Sequence, residues 1–241
     1  MLELYNAILY QPLLNALVWL YKTIAFGDFG AAVILLTILI RLILYPIFQK
    51  TVEHQAALQE IQPKLKKVQE DHKHDKEKQA QAMLAVYREH RVNPLSGFFL
   101  LLLQLPILIA LYQIFLDSTH PGFPEKGLYS FIGSPGPIDT RFLGLIDLKG
   151  PSILIVGLAA VAQYFQGRLA LPKVEKGQTA ERIARTMTFV GPILTVLIFY
   201  RLPAAISLYW TVTSLFSILQ QQHVSSNHAK RKLGNIRNGA P

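Results

Sequence analysis

The chain has 241 residues, of which 51% are hydrophobic and only 16% are charged, and its formal net charge is +9. An average soluble domain has about 25% charged residues, so this composition excludes an ordinary soluble domain and indicates an integral membrane protein. The sequence contains no cysteine, which excludes disulfides and metal sites built from thiolates.

Residues 1–28 form an apolar segment that polar side chains interrupt. Asn15 and Lys22 break the run, and Pro12 is placed to start or kink a helix. The apolar residues recur at helical spacing, at Leu9, Leu13, Ala16, Leu17, Leu20 and Ile24. This pattern predicts an amphipathic helix that lies in the membrane interface, with a transmembrane span as the alternative.

Five longer apolar segments follow, and each is a candidate for a membrane crossing. They cover residues 29–48, 95–116, 153–171, 187–200 and 204–221. A helix needs about 20 mostly apolar residues to cross a bilayer, so the sequence predicts five transmembrane helices. Between the first two, residues 49–93 carry helical stripes on either side of a polar point at 72–75, which predicts a solvated helical hairpin. The fold class expected is therefore an all-α integral membrane protein.

The basic residues are distributed unevenly between the two sides of this arrangement. Segments 49–93, 168–186 and 222–241 hold 18 of the 24 lysines and arginines. Five spans place these three segments on the same side, and the positive-inside rule makes that side the cytoplasm. The sequence thus predicts an N-terminus and a helix 1–28 on the outer face, a cytoplasmic hairpin, and a basic cytoplasmic tail at 223–241.

One arginine, Arg41, lies within the first apolar segment. An arginine at that depth costs about 2.5–3.5 kcal/mol on insertion scales. Because such residues often mark functional sites, we expect Arg41 to face a polar, water-accessible space. The alternative is a structural arginine that snorkels to a headgroup or caps a carbonyl. No span contains an acidic residue that could pair with it.

Several uncharged polar side chains also lie in the spans. They are Thr37, one turn before Arg41, then Gln104, Gln163 and Gln166, and in the last span Ser207, Thr211 and Ser214, with Trp210 and Ser217 beside them. Taken singly, a serine or threonine in a membrane helix usually bonds to its own backbone. Taken together with a buried cation, these side chains predict a polar groove between helices.

The spans contain no histidine, aspartate, glutamate or cysteine, so they hold neither a nucleophile with its base nor a metal site. No Gly-rich phosphate loop of the Walker type is present. We therefore predict that the protein is not an enzyme, needs no cofactor or metal, and has no specific nucleic-acid partner.

The sequence resembles the YidC/Oxa/Alb family of membrane protein insertases. The resemblance is carried by TILIRLILYP at 37–46, QPKL at 62–65, NPLSG at 93–97 leading to QLPI at 104–107 and ALY at 110–112, and LYW at 208–210 leading to QQQ at 220–222. Within this family, the chain resembles the bacterial members that lack a large periplasmic domain. This resemblance implies a five-helix core with an outer amphipathic helix, a cytoplasmic hairpin, and a groove open to the cytoplasm and to lipid.

By this resemblance, Arg41, Thr37 and Trp210 match groove residues of the family, and either Gln163 or Gln166 matches its third-span glutamine. The implied function is insertion of nascent membrane proteins into the bacterial inner membrane, where short hydrophilic segments pass through the groove and apolar segments are released into lipid. The Sec translocon and the ribosome stay open as further partners. The alternatives are a channel or small-anion transporter that uses Arg41, and an assembly factor that only holds other membrane proteins.

Overall fold

The computed structural model describes residues 2–118, 120, 122–124, 127–170 and 179–237. These residues are mostly helical, and their one sheet is a two-stranded hairpin. The helices are α1 (Leu2–Tyr5), a π-helical turn (Asn6–Tyr10), α2 (Gln11–Thr23), α3 (Phe29–Ile43), α4 (Tyr45–Asp71), α5 (Lys76–Glu89), α6 (Ser96–Asp117), α7 (Ile153–Ala170), α8 (Thr179–Phe199) and α9 (Ala204–Arg237). The strands are β1 (Arg141–Phe142) and β2 (Ile146–Asp147).

The N-terminal helices pack against the bundle. Pro12 lies in the first turn of α2, where its missing N–H leaves no helical bond unmade. Leu14, Leu17 and Val18 on one face of α2 are fully buried against α3 and α6. The predicted apolar stripe of this segment is thus largely inward, although Ile24 at its end is half-exposed. The interfacial position of this helix stays a prediction.

The first predicted span, 29–48, is not one straight helix. Helix α3 begins at the Asp28 cap, whose carboxylate accepts a hydrogen bond from Ala31 N at 2.7 Å, and it ends at Ile43. The chain then bends by 71° into α4. Pro46 is the cause, because it has no N–H to donate to the carbonyl four residues earlier and its ring collides with that carbonyl.

The expected hairpin is present as two helices. Helices α4 and α5 pack against each other, and the chain turns at residues 72–75, where the Asp75 side chain caps α5 through Lys78 N at 3.0 Å. A small apolar cluster around Ile61, Leu65 and Val92 joins them. Gln59 Nε2 donates to Ala170 O, which ties α4 to the end of α7.

The main core lies between α2, α3, α6, α7 and α9, and α7 packs closely against both α8 and α9. Its largest fully buried side chains are Tyr209, Phe29, Phe115, Leu14, Leu17, Leu36, Leu111, Ile114, Leu148, Ile155, Ile206 and Val18. The backbone of Gly30 allows close contact here, since a Cβ at this position would lie 2.1 Å from the Phe142 ring.

The described part of the loop between α6 and α7 covers one end of this core. The Asn15 side chain donates to Gly127 O at 2.8 Å and accepts from Tyr129 N at 2.7 Å, and Lys22 Nζ donates to Ile132 O at 2.7 Å. The polar residues that interrupt α2 in the sequence are therefore loop-binding residues.

Among the described residues, only α7 is both long and apolar enough for a membrane crossing, and the bent pair of α3 and α4 would add a second. Shorter apolar helical stretches occupy Leu102–Asp117 and Thr188–Phe199. Helix α9 is long, but serine, threonine and glutamine side chains lower its hydropathy. The count of five spans therefore stays a prediction, while the mostly helical architecture is confirmed.

Candidate functional site

A polar cavity of about 310 Å³ lies among α3, α4, α6, α7, α8 and α9. Most of its lining side chains are uncharged hydrogen-bonding groups. The polar side chains of the lining are the cation Arg41, the indole of Trp210, and Gln55, Gln104, Gln163, Gln166, Thr188, Thr213, Ser214, Ser217, Gln220 and Gln221. No carboxylate of the described residues lines it. The cavity therefore combines one cation with many groups that both donate and accept hydrogen bonds.

Arg41 is held in this cavity by few interactions. Its side chain is 4% exposed, and Nη2 donates to the backbone oxygen of Thr213 on α9 at 3.2 Å. The guanidinium carbon lies 4.1 Å from the centre of the Phe48 ring, a cation–π contact. Nη1 has no hydrogen-bond partner among the described residues. Nη1 is itself buried, so one side of the guanidinium holds a donor that the described residues leave unused.

Gln163 is a fixed part of the cavity wall. Its side-chain oxygen accepts a hydrogen bond from Trp210 Nε1 at 3.0 Å and another from the Thr195 hydroxyl. Gly191 packs against it, since a Cβ there would lie 3.1 Å from Gln163 Nε2. Gln166, one turn later on α7, also lines the cavity. Both candidate glutamines of the third span thus reach the site, and Gln163 joins α7, α8 and α9.

Gln104 closes the α6 side of the cavity. It is nearly buried, and its amide nitrogen donates to the hydroxyl of Tyr209, a core residue of α9. Because an unpaired buried amide is costly, this bond stabilises the contact between α6 and α9 at the site. The structure thus places Gln104 and Arg41 in the lining of one cavity.

Three of the predicted groove residues, Thr37, Ser207 and Thr211, do not line this cavity. The Thr37 hydroxyl is buried and donates to Val33 O of its own helix at 2.7 Å, a bond that leaves it no free donor. Thr211 donates to Ser207 O at 2.8 Å and faces a separate groove between α7 and α9. It follows Trp210 by one residue, which turns it about 100° around the helix and away from the cavity. The other seven predicted residues line it together: Arg41, Gln104, Gln163, Gln166, Trp210, Ser214 and Ser217.

Sequence reasoning missed several lining residues. Gln55 belongs to the hairpin segment, which the sequence assigned to solvent. Gln220 and Gln221 are both nearly buried, and among the described residues the Gln220 side chain has no hydrogen-bond partner. Their signal was available, because positions 210, 214, 217 and 221 share one face of a helix at the spacing of 3.6 residues per turn.

The described residues contain no cluster of three or more histidine, cysteine, aspartate or glutamate side chains that could hold a metal ion. The chemistry of the site is thus that of hydrogen bonding and of one buried positive charge.

Comparisons with known proteins agree with the family resemblance. The family described as 60Kd inner membrane protein matches residues 19–231 of the chain. Curated proteins named "Membrane protein insertase YidC" from Francisella philomiragia and from Francisella tularensis subsp. novicida are each 31% identical to it over 208 residues, 85% of this chain and 34% of theirs. The chain therefore spans about a third of the length of these relatives.

A solved structure is also similar to the fold. It is described as an active YidC insertase crystal structure with the first transmembrane domain resolved, and it matches with a TM-score of 0.60 and 26% sequence identity over 87% of this chain and 45% of that chain. The family match covers residues 19–231, and the structural match covers 87% of the chain, so both extend over most of its length. The chain belongs to the 60Kd inner membrane protein family, and the resemblance to YidC-like insertases is confirmed.

Proposed function

We propose that this chain is a membrane protein insertase whose polar cavity receives short hydrophilic segments of nascent membrane proteins. The observation that carries the proposal is Arg41, buried in a polar cavity with one guanidinium nitrogen unpaired and no carboxylate lining that cavity among the described residues. The names of the curated relatives support it. In this proposal the chain acts as an insertase and not as an enzyme.

The cavity lowers the cost of moving a polar segment partway across the bilayer. An amide without a hydrogen-bond partner costs about 4–8 kcal/mol in a purely apolar medium. The glutamines of the cavity replace part of the lost hydration, since each side chain offers two donors and an acceptor. Arg41 adds a charge-assisted bond for a carbonyl or a carboxylate.

The driving force comes from the segment's apolar neighbours and from the membrane potential. Burial of an apolar span in lipid contributes about 25 cal/mol per Å² of apolar area. The potential contributes about 2.3 kcal/mol per elementary charge for each 100 mV. No covalent step is required, so cavity residues act by solvating and orienting the segment.

The proposal places the chain in the bacterial inner membrane as five spans, with the first span bent at Leu44. The hairpin 49–93 and the tail 223–241 lie in the cytoplasm, and the N-terminus with helix 1–28 lies outside. The charge asymmetry supports this orientation, since 18 of the 24 basic residues fall on the cytoplasmic side. Nascent membrane proteins and lipid are the partners that the mechanism requires. The Sec translocon and the ribosome are optional partners in it.

The test is insertion into proteoliposomes that contain the purified full chain. The substrate is a single-span protein with a short acidic hydrophilic tail, and we expect tail translocation above the level of protein-free liposomes. Insertion no greater than in empty liposomes would refute the proposal. An anion conductance without insertion would favour the channel alternative.

Crosslinking tests the cavity itself, and the absence of native cysteine allows single labelled sites. Cysteines at Gln55 and Gln166, which line the cavity from α4 and α7, carry a thiol-specific photocrosslinker. The control is Leu197→Cys on α8, which is 62% exposed and does not line the cavity. We expect the two cavity positions to crosslink to the hydrophilic tail of a stalled substrate and the control to label lipid. Equal crosslinking of the tail from all three positions would contradict the proposed route.

A further inference from the structure

A second cavity of about 840 Å³ lies between α7 and α9, on different faces of these helices from the polar cavity. Its wall is formed mainly by Leu158, Val161 and Phe165 of α7 and by Leu215 and Ile218 of α9. Four of these five side chains are at least 50% exposed. We call this cavity the α7–α9 groove. Its volume falls in the range of about 300–1,000 Å³ that small-molecule sites occupy.

The polar residues of the α7–α9 groove lie at its ends. Helices α7 and α9 start at the same end of the bundle, because Ala204 N donates to Gly150 O at 2.8 Å. Arg168 and Gln222 therefore lie at the far end of the groove and Thr211 lies near its beginning. The result is an apolar trough with a cation at one end.

The length of the groove matches one leaflet of a bilayer. On α7 the lining runs from Leu158 to Leu169, and the 11 residue steps between them correspond to about 16 Å of helix. The hydrocarbon core of a bilayer is about 30 Å thick, so one leaflet contributes about 15 Å. An acyl chain of one leaflet that lies along α7 would place its headgroup at Arg168.

The charge at the end of the groove favours an anionic headgroup. Arg168 lies in the last turn of α7, and no carboxylate of the described residues forms an ion pair with it. In the orientation proposed above, on which this step rests, Arg168 lies on the side that carries 18 of the 24 basic residues. Basic pockets between membrane helices on that side are suited to the phosphates of anionic lipids.

We propose that the α7–α9 groove binds an anionic phospholipid of the leaflet on the basic side of the protein. One acyl chain lies along Leu158, Phe165 and Leu215, and the phosphate is bound by Arg168 with a hydrogen bond from Gln222. The α7–α9 groove lies apart from the polar cavity. The lipid is therefore an additional ligand of the protein and takes no part in the passage of the substrate segment.

The test counts bound lipid by native mass spectrometry of the full chain in detergent, titrated with phosphatidylglycerol or with phosphatidylcholine of the same acyl chains. We expect Arg168→Gln to weaken binding of phosphatidylglycerol about fivefold and to leave phosphatidylcholine unchanged. The matched control is Arg201→Gln, at the turn between α8 and α9, where the guanidinium stacks on the Tyr200 ring. It should leave both lipids unchanged.

A second pair of variants tests the apolar part of the groove. Leu215→Trp fills the α7–α9 groove and should reduce binding of both lipids. The control Leu197→Trp, on an exposed face of α8, should leave binding of both lipids unchanged. Equal effects of the two arginine variants would overturn the proposal, because they would show attraction by surface charge alone. The proposal would also be overturned if the chain forms a dimer and Leu215→Trp dissociates that dimer without reducing lipid binding. In that case a second copy of the chain occupies the α7–α9 groove. If Leu215→Trp does not fold, the arginine pair decides.

Discussion

Replacing Arg41 with Met removes the guanidinium but keeps a long unbranched side chain, and we expect the variant to stay folded. The cation costs about 2.5–3.5 kcal/mol at this depth. Its bond to Thr213 O, a hydrogen bond from a charged group, contributes about 1.5–3 kcal/mol, and the Phe48 contact contributes about 0.5–2 kcal/mol. These terms nearly cancel, so the free energy of unfolding should change by no more than about 2 kcal/mol. That change corresponds to a shift in Tm of less than about 8 °C for a chain of this size.

The same change should strongly affect function. We expect Arg41→Met to lower insertion of an acidic tail about tenfold, because one charge-assisted hydrogen bond is worth at least about 1.5 kcal/mol. A tail with glutamine in place of each acid should be affected less, and Arg41→Lys should recover part of the activity. The assays are thermal unfolding in detergent by circular dichroism and tail protection in proteoliposomes. A drop in Tm well above 8 °C, or an equal loss for acidic and neutral tails, would show instead that Arg41 is a structural residue.

Three further predictions concern the scaffold. Gly30→Ala should destabilise the protein by about 1–3 kcal/mol, because the new Cβ would overlap the Phe142 ring. The control Gly157→Ala has open space around it and should be neutral or slightly stabilising, so equal Tm values for the two variants would contradict this packing. Asp28→Ala should cost about 1–3 kcal/mol in thermal unfolding, since it removes both the α3 cap and the acceptor of Leu143 N at 2.6 Å; an unchanged Tm would show that neither bond contributes. The backbone N–H of Lys78, and then its ammonium group, hold the pKa of Asp75 below its ordinary value, so the cap is intact above about pH 4 and is lost as the pH falls through the lowered pKa. Hydrogen exchange at the start of α5 should therefore accelerate in that pH range. The same acceleration in Asp75→Ala would show that loss of the cap is not its cause.

Local patterns were sufficient to predict much of the helical architecture. The hairpin and its turn at 72–75 follow from two apolar stripes on either side of a polar stretch, both of which depend on neighbouring residues. The isolation of Arg41 in an apolar run indicated a polar site, because a charge in that setting needs polar surroundings. The same argument predicts a polar site at Gln104, Gln163 and Gln166, and all three line the cavity.

The faces of the helices required the tertiary structure. Thr37 lies one turn from Arg41 and Thr211 lies beside Trp210, yet neither lines the cavity. The helical period shows which residues share a face, but only the packing of α9 between its neighbours shows which face meets which cavity. The polar composition of residues 49–93 likewise predicts a solvated position for Gln55, because the contact of α4 with the bundle depends on residues outside α4.

Composition and spacing are enough to predict a helical membrane protein with one cation in an apolar span and no acidic partner for it in the spans. Hydropathy and charge decide these features, and both can be read residue by residue. The contacts of Arg41 with Thr213 O on α9, and of Gln163 with Thr195 and Trp210, become visible only in the folded protein. These contacts join residues far apart in the chain, and no local pattern specifies them.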